Sequence, residues 1–470
     1  MKISDYPKFE SALSQGRPII FLCGAGLSVS LGDHAKGWVG WLKEGKAYLS
    51  DVEAEELDRR FGSYSASELI DAASFLIEAL RKNGNYTAYM DSTIGSLRVQ
   101  NKKLANALAL FVRCGDYFAT TNYDKLLEEV TGLGYYTYNM PGKIVQMLSG
   151  QAEMSVIHLH GIYDAATNTD DIVADQKQYE DVITNQGAQF IQNLISTCTL
   201  VILGCGATVD DPNLKGFMSF ASKQLHLNIP YFYLHKAGDD LSDLGPNVIP
   251  VCYGMEYSDL SNAVEDMANY RIRTRYRDSG IIRVNPYVKT RKSFTASYRL
   301  HYLNEFCKFV GREKELVELN RFCSADKELL WWSLVGKGGI GKSRLVYQWL
   351  KQLSNNWFGF FAKTDVDVER YREFKPFSDT VIVIDYVLGN EDKCATIVTT
   401  LFERFEYSRF KLRLLFVDRR YQNNENNWYD RIVEKMDMQT RLWFQECSYN
   451  NKTTPVSYTH LRAHETCADL

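Results

Sequence analysis

The stretch IIFLCGAGLSVS, residues 19–30, decides how the first half of the chain is read. An apolar run of strand type breaks into Gly24-Ala25-Gly26 and then Ser28. A strand that ends in glycine brings bare backbone N–H groups up to a phosphate, so the stretch predicts a nucleotide-binding α/β unit. The motif alone does not say which nucleotide. G-A-G-x-S lacks the third glycine of G-x-G-x-x-G, and no strand-end acid for a ribose follows about 20 residues on, so an ordinary dehydrogenase site is disfavoured.

Working outward, short apolar runs alternate with amphipathic helical patterns through about residue 260, which predicts a parallel sheet. Strands are expected at 18–24, 116–121, 154–161, 199–206 and 229–235. Between them, Leu69, Ala72, Ala73, Leu76, Ile77 and Leu80 recur at helical spacing and predict one buried stripe on a helix over 67–82. Four polar clusters fall at expected carboxyl ends of strands: the glycine loop, TTNYD (120–124), HLHG (158–161) and GCGATVDDP (204–212). Open α/β sheets bind ligands at those ends.

The chain has 470 residues, 45% hydrophobic and 24% charged, enough for two or three domains of ordinary globular composition. A formal net charge of -4 argues against a protein built to coat nucleic acid or an anionic membrane. No apolar run reaches the ~20 residues that span a bilayer and no signal-type leader opens the chain, so a cytoplasmic location is expected. Ten cysteines are scattered singly, without a C-x-x-C pair, and read as small buried apolar side chains.

The stretch RIRTRYRDSGIIRVNPYVKTRK (271–292) is basic and aperiodic, and reads as an interdomain linker or as a polyphosphate-facing patch. Beyond it, WWSLVGKGGIGKS matches the G-x-x-x-x-G-K-[ST] loop between a strand and a helix. That context predicts an ATP site at Gly336, Gly338, Gly339, Gly341, Lys342 and Ser343. Asp385, delivered by TVIVIDYV, is expected to join Ser343 in holding Mg²⁺. Tyr386 stands where many hydrolytic enzymes carry a glutamate, which suggests a switch or a slow ATPase. Arg419 or Arg420 is either a γ-phosphate sensor or a surface arginine. Only three strands are convincing here, over 331–335, 379–387 and 410–420, too few to close such a core.

Two resemblances follow from these motifs. GAGLS, TTNYD and HG together resemble the sirtuin superfamily over about residues 1–265. The resemblance implies NAD⁺ as substrate, with Gly24, Ala25, Gly26, Ser28, Gly204 and Gly206 at the dinucleotide and His160, Asn122 and Asp124 as catalytic residues. In it, Asp124 grips the nicotinamide carboxamide, Asn122 orients ribose and water, and His160 is the base. Each has a structural rival: Asn122 as a helix cap, Asp124 as a first-turn charge, His160 as a core histidine. His158, two residues before His160, is expected on the opposite strand face and non-catalytic. Asp210 and Asp211 read as turn chemistry, and Trp38 and Trp41 as packing. The interval 162–203 holds only Cys198, so the paired-cysteine zinc module of deacylating sirtuins is missing and no zinc is expected.

FVGRE (309–313) and the second glycine loop resemble the STAND class of signalling NTPases. The expected organisation is a sirtuin-like NAD-binding domain (1–268), a basic linker (269–305), a partial STAND P-loop domain (306–454) and a tail (455–470) that resembles translated adaptor sequence. The fold class is thus α/β, a Rossmann-like parallel sheet followed by an incomplete P-loop NTPase domain. His460 and His464 in the tail lie four apart, but no third ligand stands near to make a metal site. The paired resemblances imply an NAD⁺ glycohydrolase of bacterial antiphage defence. It would be gated by ATP, would self-associate into a homo-oligomer on activation, and would answer a phage-derived trigger through a missing C-terminal sensor. A non-catalytic NAD- or ADP-ribose-binding domain and a protein deacylase are the alternatives.

Overall fold

The computed structural model describes residues 1–62, 65–149, 151–174, 178, 198–205, 231–241, 244, 248–288, 301–305, 308–405, 410–419 and 428–449. It divides into two compact units, Met1–Arg271 and Ile272–Leu470.

The first unit is built on a seven-stranded sheet: β1 (Ile19–Cys23), β2 (Tyr117–Thr120), β3 (Gly134–Thr137), β4 (Ser155–His158), β5 (Thr199–Leu203), β6 (Tyr231–Lys236) and β7 (Val248–Gly254). Their spatial order is β3-β4-β2-β1-β5-β6-β7 and every pairing is parallel. This is the Rossmann-like α/β sheet expected from the alternating pattern. β1 is central, with Phe21 in register with Phe118 on one side and Val201 on the other. Because side chains alternate along a strand, Ile19, Phe21 and Cys23 enter one core while Ile20 and Leu22 enter the other, and all five are buried. Covering both faces is what permits so apolar a strand.

The strand order reverses at β1: β2 to β4 lie on one side and β5 to β7 on the other. The crevice at such a reversal is where ligands bind. The expected stripe on the helix Ala66–Lys82 is buried as read, in a third cluster with Trp41, Leu42 and Tyr89. A reciprocal Ser65–Glu68 capping box starts that helix.

β3 and β7 escape the sequence pattern. β3 is four residues, and β7 carries Pro250 and alternates buried with half-exposed positions, as an edge strand does.

The second unit carries five strands, β8 (Ile282–Val284), β9 (Leu329–Gly336), β10 (Trp357–Ala362), β11 (Asp379–Asp385) and β12 (Leu412–Arg419), in the order β8-β10-β11-β12-β9. The expectation of three strands is corrected: β10 adds a buried aromatic run, and β8 an antiparallel edge. β10 was hidden because WFGFFA is short and interrupted by Gly359. A Cβ there would come within 2.4 Å of Leu350.

The linker reading of 269–305 is also corrected for its first half. Residues to Arg275 belong to the helix Asp259–Arg275 and Val284 enters the second unit's core, while three of the arginines have partners within the chain and Arg273 and Arg277 are exposed. Arg275 stacks on Phe377 at 3.6 Å, Arg283 pairs with Asp385, and Arg271 is fully buried.

Arg271 fastens the first unit. Nε and Nη2 donate to the two carboxylate oxygens of Asp116 at 3.0 and 2.8 Å. Nη1 donates to the carbonyls of Leu13 and Gln15, and Nη2 to that of Arg17. Asp116 accepts in turn from the Ile19 amide at 2.9 Å, so one buried pair joins the end of the helix Pro7–Ser14, the start of β1 and the approach to β2. Arg413 does the same in the second unit, donating to the carbonyls of Phe322, Cys323 and Ala325 around the end of the helix Glu313–Ser324.

Among the described residues no helix is long and apolar enough to cross a membrane, and no group of three His, Cys, Asp or Glu is placed to hold a metal.

Breaking a buried, hydrogen-bonded ion pair by removing one partner costs about 3–5 kcal/mol. Arg271→Ala is therefore expected to lower the first unit's unfolding free energy by about that amount. Denaturant unfolding followed by a first-unit probe measures it, and a loss below about 1 kcal/mol would remove the clamp from the account.

Candidate functional site

The carboxyl ends of β1 and β5 meet backbone to backbone. The Gly24 amide donates to Leu203 O at 3.0 Å and the Gly26 amide to Gly204 O at 2.8 Å. A Cβ on Gly24 would lie 2.8 Å from Cys205 Sγ and Gly204 O, and one on Gly26 2.8 Å from Gly204 O. Gly204 itself has φ +70°, and its Cβ would fall 2.3 Å from the Leu27 amide nitrogen. These glycines are thus required by close approach. The structure commits the Gly26 amide to Gly204, which takes that donor away from the expected pyrophosphate set. Gly206, Asp210 and Asp211 lie outside the described residues.

A polar network fixes the loop against β2. Thr120 Oγ1 donates to Cys23 O at 2.9 Å and accepts from the Asn122 amide at 3.0 Å. Asn122 Nδ2 then donates to Gly24 O at 3.0 Å and to Ser28 Oγ at 2.8 Å. Ser28 Oγ donates to Asp124 Oδ2 at 2.7 Å. The glycine carbonyl decides which end of the Asn122 amide is nitrogen, leaving Oδ1 as an acceptor with no bond among the described residues. Asn122 is therefore not a cap on the helix Leu126–Thr131.

Asp124 does serve that helix, since its Oδ1 accepts from the Leu126 amide at 3.0 Å. Burial raises the Asp124 pKa, against the lowering effect of the Ser28 hydroxyl and the Leu126 amide.

The two histidines of HLHG are both buried. Residues two apart on a strand share a face, so the expectation of opposite faces for His158 and His160 is corrected, and because β4 ends at His158 the second histidine stands in the turn after the strand. Gly161 follows because the turn, at φ +75°, brings its Cα against Asp171, where a Cβ would lie 2.0 Å from the carbonyl oxygen.

His158 has a role the sequence reading missed. Its Nε2 meets Glu128 Oε1 at 2.8 Å and its Nδ1 meets the Asn122 carbonyl at 3.0 Å. Both ring nitrogens face acceptors, the arrangement of an imidazolium. Burial lowers its pKa, but the Glu128 carboxylate, its hydrogen bond and the Asn122 carbonyl outweigh that and leave it raised. His158 and Glu128 hold the backbone of Asn122 from behind. The signal lay in the acid itself, an EE pair at 128–129 whose first member is buried on a helix packed beneath the site.

In front of the network lies an open cleft, about 660 Å³ of empty space including its mouth. Ala25, Ser28, Trp38, Trp41, Asn122 and Asp124 contribute to its wall. His160 is not among the residues lining it. Trp41 is packed on Tyr89 and Tyr123, with its Nε1 donating to Thr93. Trp38 shares the wall, so the tryptophans both pack and face the cleft.

In the second unit, Gly336–Gly341 joins β9 to the helix Lys342–Gln352. Gly339 and Gly341 have φ +80° and +86°, with nothing within 4 Å of a built Cβ. Lys342 Nζ donates to the carbonyls of Gly336 and Lys337 at 3.0 and 2.9 Å, and Ser343 Oγ donates to Asp385 Oδ2 at 3.1 Å. Tyr386 has φ +64° and is exposed. Arg419 lies by Gly338, 3.6 Å from its built Cβ, whereas Arg420 is outside the described residues. The expected ATP and Mg²⁺ residues are thus brought together around one loop.

Residues 116–244 match the SIR2-like domain family. The matched segment contains Asn122, Asp124, His158, His160 and Gly204, whereas Gly24–Ser28 precedes it.

Two outcomes test the site's construction. The His158–Glu128 stabilisation is present in full below about pH 6.5 and is lost as pH rises through the elevated folded value. The Tm difference between wild type and Glu128→Gln should therefore be largest near pH 6 and shrink toward alkaline pH; a pH-independent difference would refute the ion pair. Gly204→Ala should cost at least about 1–3 kcal/mol through the left-handed conformation and the Leu27 contact, read by thermal unfolding, and a neutral effect would refute the close approach.

Proposed function

A SIR2-like segment implies NAD⁺ as the ligand of the first unit, and we propose that this unit hydrolyses NAD⁺ to nicotinamide and ADP-ribose. The observation that carries the reading is the Asn122–Ser28–Asp124 network at the joined ends of β1 and β2, facing a cleft with aromatic walls. In the reaction the nicotinamide–ribose bond breaks and its electron pair neutralises the pyridinium nitrogen. The leaving group needs no proton, so the site must hold the ring, stabilise positive charge on the ribose and direct a water to C1′. Asn122 Oδ1 is the acceptor proposed to orient that water or a ribose hydroxyl. The Asp124 carboxylate is proposed to face the nicotinamide carboxamide. His160 is proposed to take the water's proton.

The second unit is proposed as the gate, a STAND-type switch that holds ATP at Gly336, Gly338, Gly339, Gly341 and Lys342. Mg²⁺ would be held through Ser343 and Asp385 and would neutralise phosphate charge. What supports this is the glycine-rich turn ahead of a helix and the existing Ser343–Asp385 contact. The wider role proposed is antiphage defence, in which a phage-derived trigger drives self-association into a homo-oligomer and NAD⁺ is depleted. The cytoplasm is the compartment proposed for it.

One observation favours a second reading. Both Asp124 oxygens accept bonds inside the chain, and His160 does not line the cleft. A unit that binds NAD⁺ or ADP-ribose as a regulatory ligand needs neither residue for chemistry. Free nicotinamide, measured after mixing the full chain with NAD⁺, separates the two. Release is expected, falling at least about 100-fold in Asn122→Ala and His160→Ala. Binding without release, including after activation, would establish the regulatory reading, and full activity in either variant would remove that residue from the mechanism.

A further inference from the structure

Among the described residues of the basic stretch that opens the second unit, Arg283 reaches the carboxylate beside its proposed nucleotide loop. Arg283 lies in the middle of β8, the three-residue antiparallel edge strand. Its Nη2 donates to Asp385 Oδ2 at 3.1 Å, and its guanidinium sits 5.7 Å from the centre of the Phe361 ring. Ser343 Oγ donates to the same Asp385 oxygen, also at 3.1 Å. The carboxylate is nearly buried, with only 4% of its side chain exposed, so a cation beside it is poorly screened.

A guanidinium on this oxygen and a divalent cation held by Asp385 and Ser343 repel each other at a few ångströms, and the carboxylate cannot serve both. We propose that Arg283 is a competing ligand of Asp385, which must leave the carboxylate before Mg²⁺·nucleotide can take it. The exchange couples cation binding to the edge strand. β8 is anchored on either side of Arg283, by Val284 in the core and by the Lys363 amide donating to Ile281 O at 2.7 Å. Movement of the side chain therefore bears on the segment that opens the unit. This inference rests on the reading of Gly336–Ser343 as a nucleotide loop.

The test titrates the full chain with a fluorescent ATP analogue, once with Mg²⁺ and once with EDTA, in wild type, Arg283→Ala, Arg283→Lys and Lys342→Ala. The competing contact is charge-assisted but about one-third exposed on the arginine side, so Arg283→Ala is expected to tighten Mg²⁺·nucleotide binding about three- to tenfold. It should leave affinity in EDTA unchanged, and Arg283→Lys should behave like wild type. Unchanged or weaker Mg²⁺·nucleotide binding in Arg283→Ala overturns the competition, weaker binding making Arg283 a phosphate ligand instead.

Failure of the underlying reading looks different. Wild type would then bind no nucleotide, or Lys342→Ala would bind as well as wild type. Should Arg283→Ala not fold, hydrogen exchange in wild type decides. The Lys363 amide should exchange faster with Mg²⁺·nucleotide than with nucleotide in EDTA, and equal rates overturn the coupling.

Discussion

The contact on which the first unit's site depends is the one between Gly24–Gly26 and Gly204. Two loops leave adjacent parallel strands at the point where the strand order reverses, and they are joined by backbone hydrogen bonds at a distance that leaves no room for a Cβ. Side chains at these positions would force the strand ends apart. With the loops joined, Cys23 O and Gly24 O are held where Thr120 and Asn122 can reach them, and Ser28 on the following helix comes within reach of both Asn122 and Asp124. The network is downstream of the glycine contact. It inherits its geometry from the sheet, not from the flexible side chains that compose it.

Burial of charge is the second organising constraint, and each unit meets it in the same way. Arg271 and Arg413 are both fully buried, and each turns its guanidinium onto carbonyls around the end of a helix. Five donors in a planar fork suit that task, which a lysine cannot perform. His158 and Glu128 are the analogous pair beneath the site, and their attachment point is the carbonyl of Asn122. The stability of the domain and the position of the residue proposed to act on substrate are therefore linked through one imidazole.

The sequence was most legible where periodicity and glycine coincide. The central strands, the buried stripe of Ala66–Lys82 and the grouping of Asn122, Asp124 and Ser28 at strand ends all follow from local pattern. What stayed hidden depends on partners distant along the chain. Nothing local marks Arg271 as buried, because Asp116 lies 155 residues away, and so a clamp read as part of a linker. Glu128 and His158 are 30 residues apart, and their pairing follows from the sheet order that brings β4 beside β2. The edge strand β8, irregular in its register with β10, carries too few residues for a period to show.

The two glycine loops look alike in sequence and differ in physical purpose. In the first, each glycine is small because another backbone occupies the space a Cβ would need, and the Gly26 amide is already bonded to Gly204. In the second, Gly339 and Gly341 adopt left-handed conformations with open space around them, the condition under which glycine serves the turn and leaves room for a ligand. The second loop thus leaves open space at the turn where the proposed nucleotide phosphate would sit. The first holds two strand ends together, so the proposed NAD⁺ site would draw on the side chains of its cleft as well as on the remaining loop amides. Among the described residues no bond reaches Asn122 Oδ1, so in the proposed reaction the orienting acceptor belongs to an amide whose own nitrogen is pinned by a glycine carbonyl.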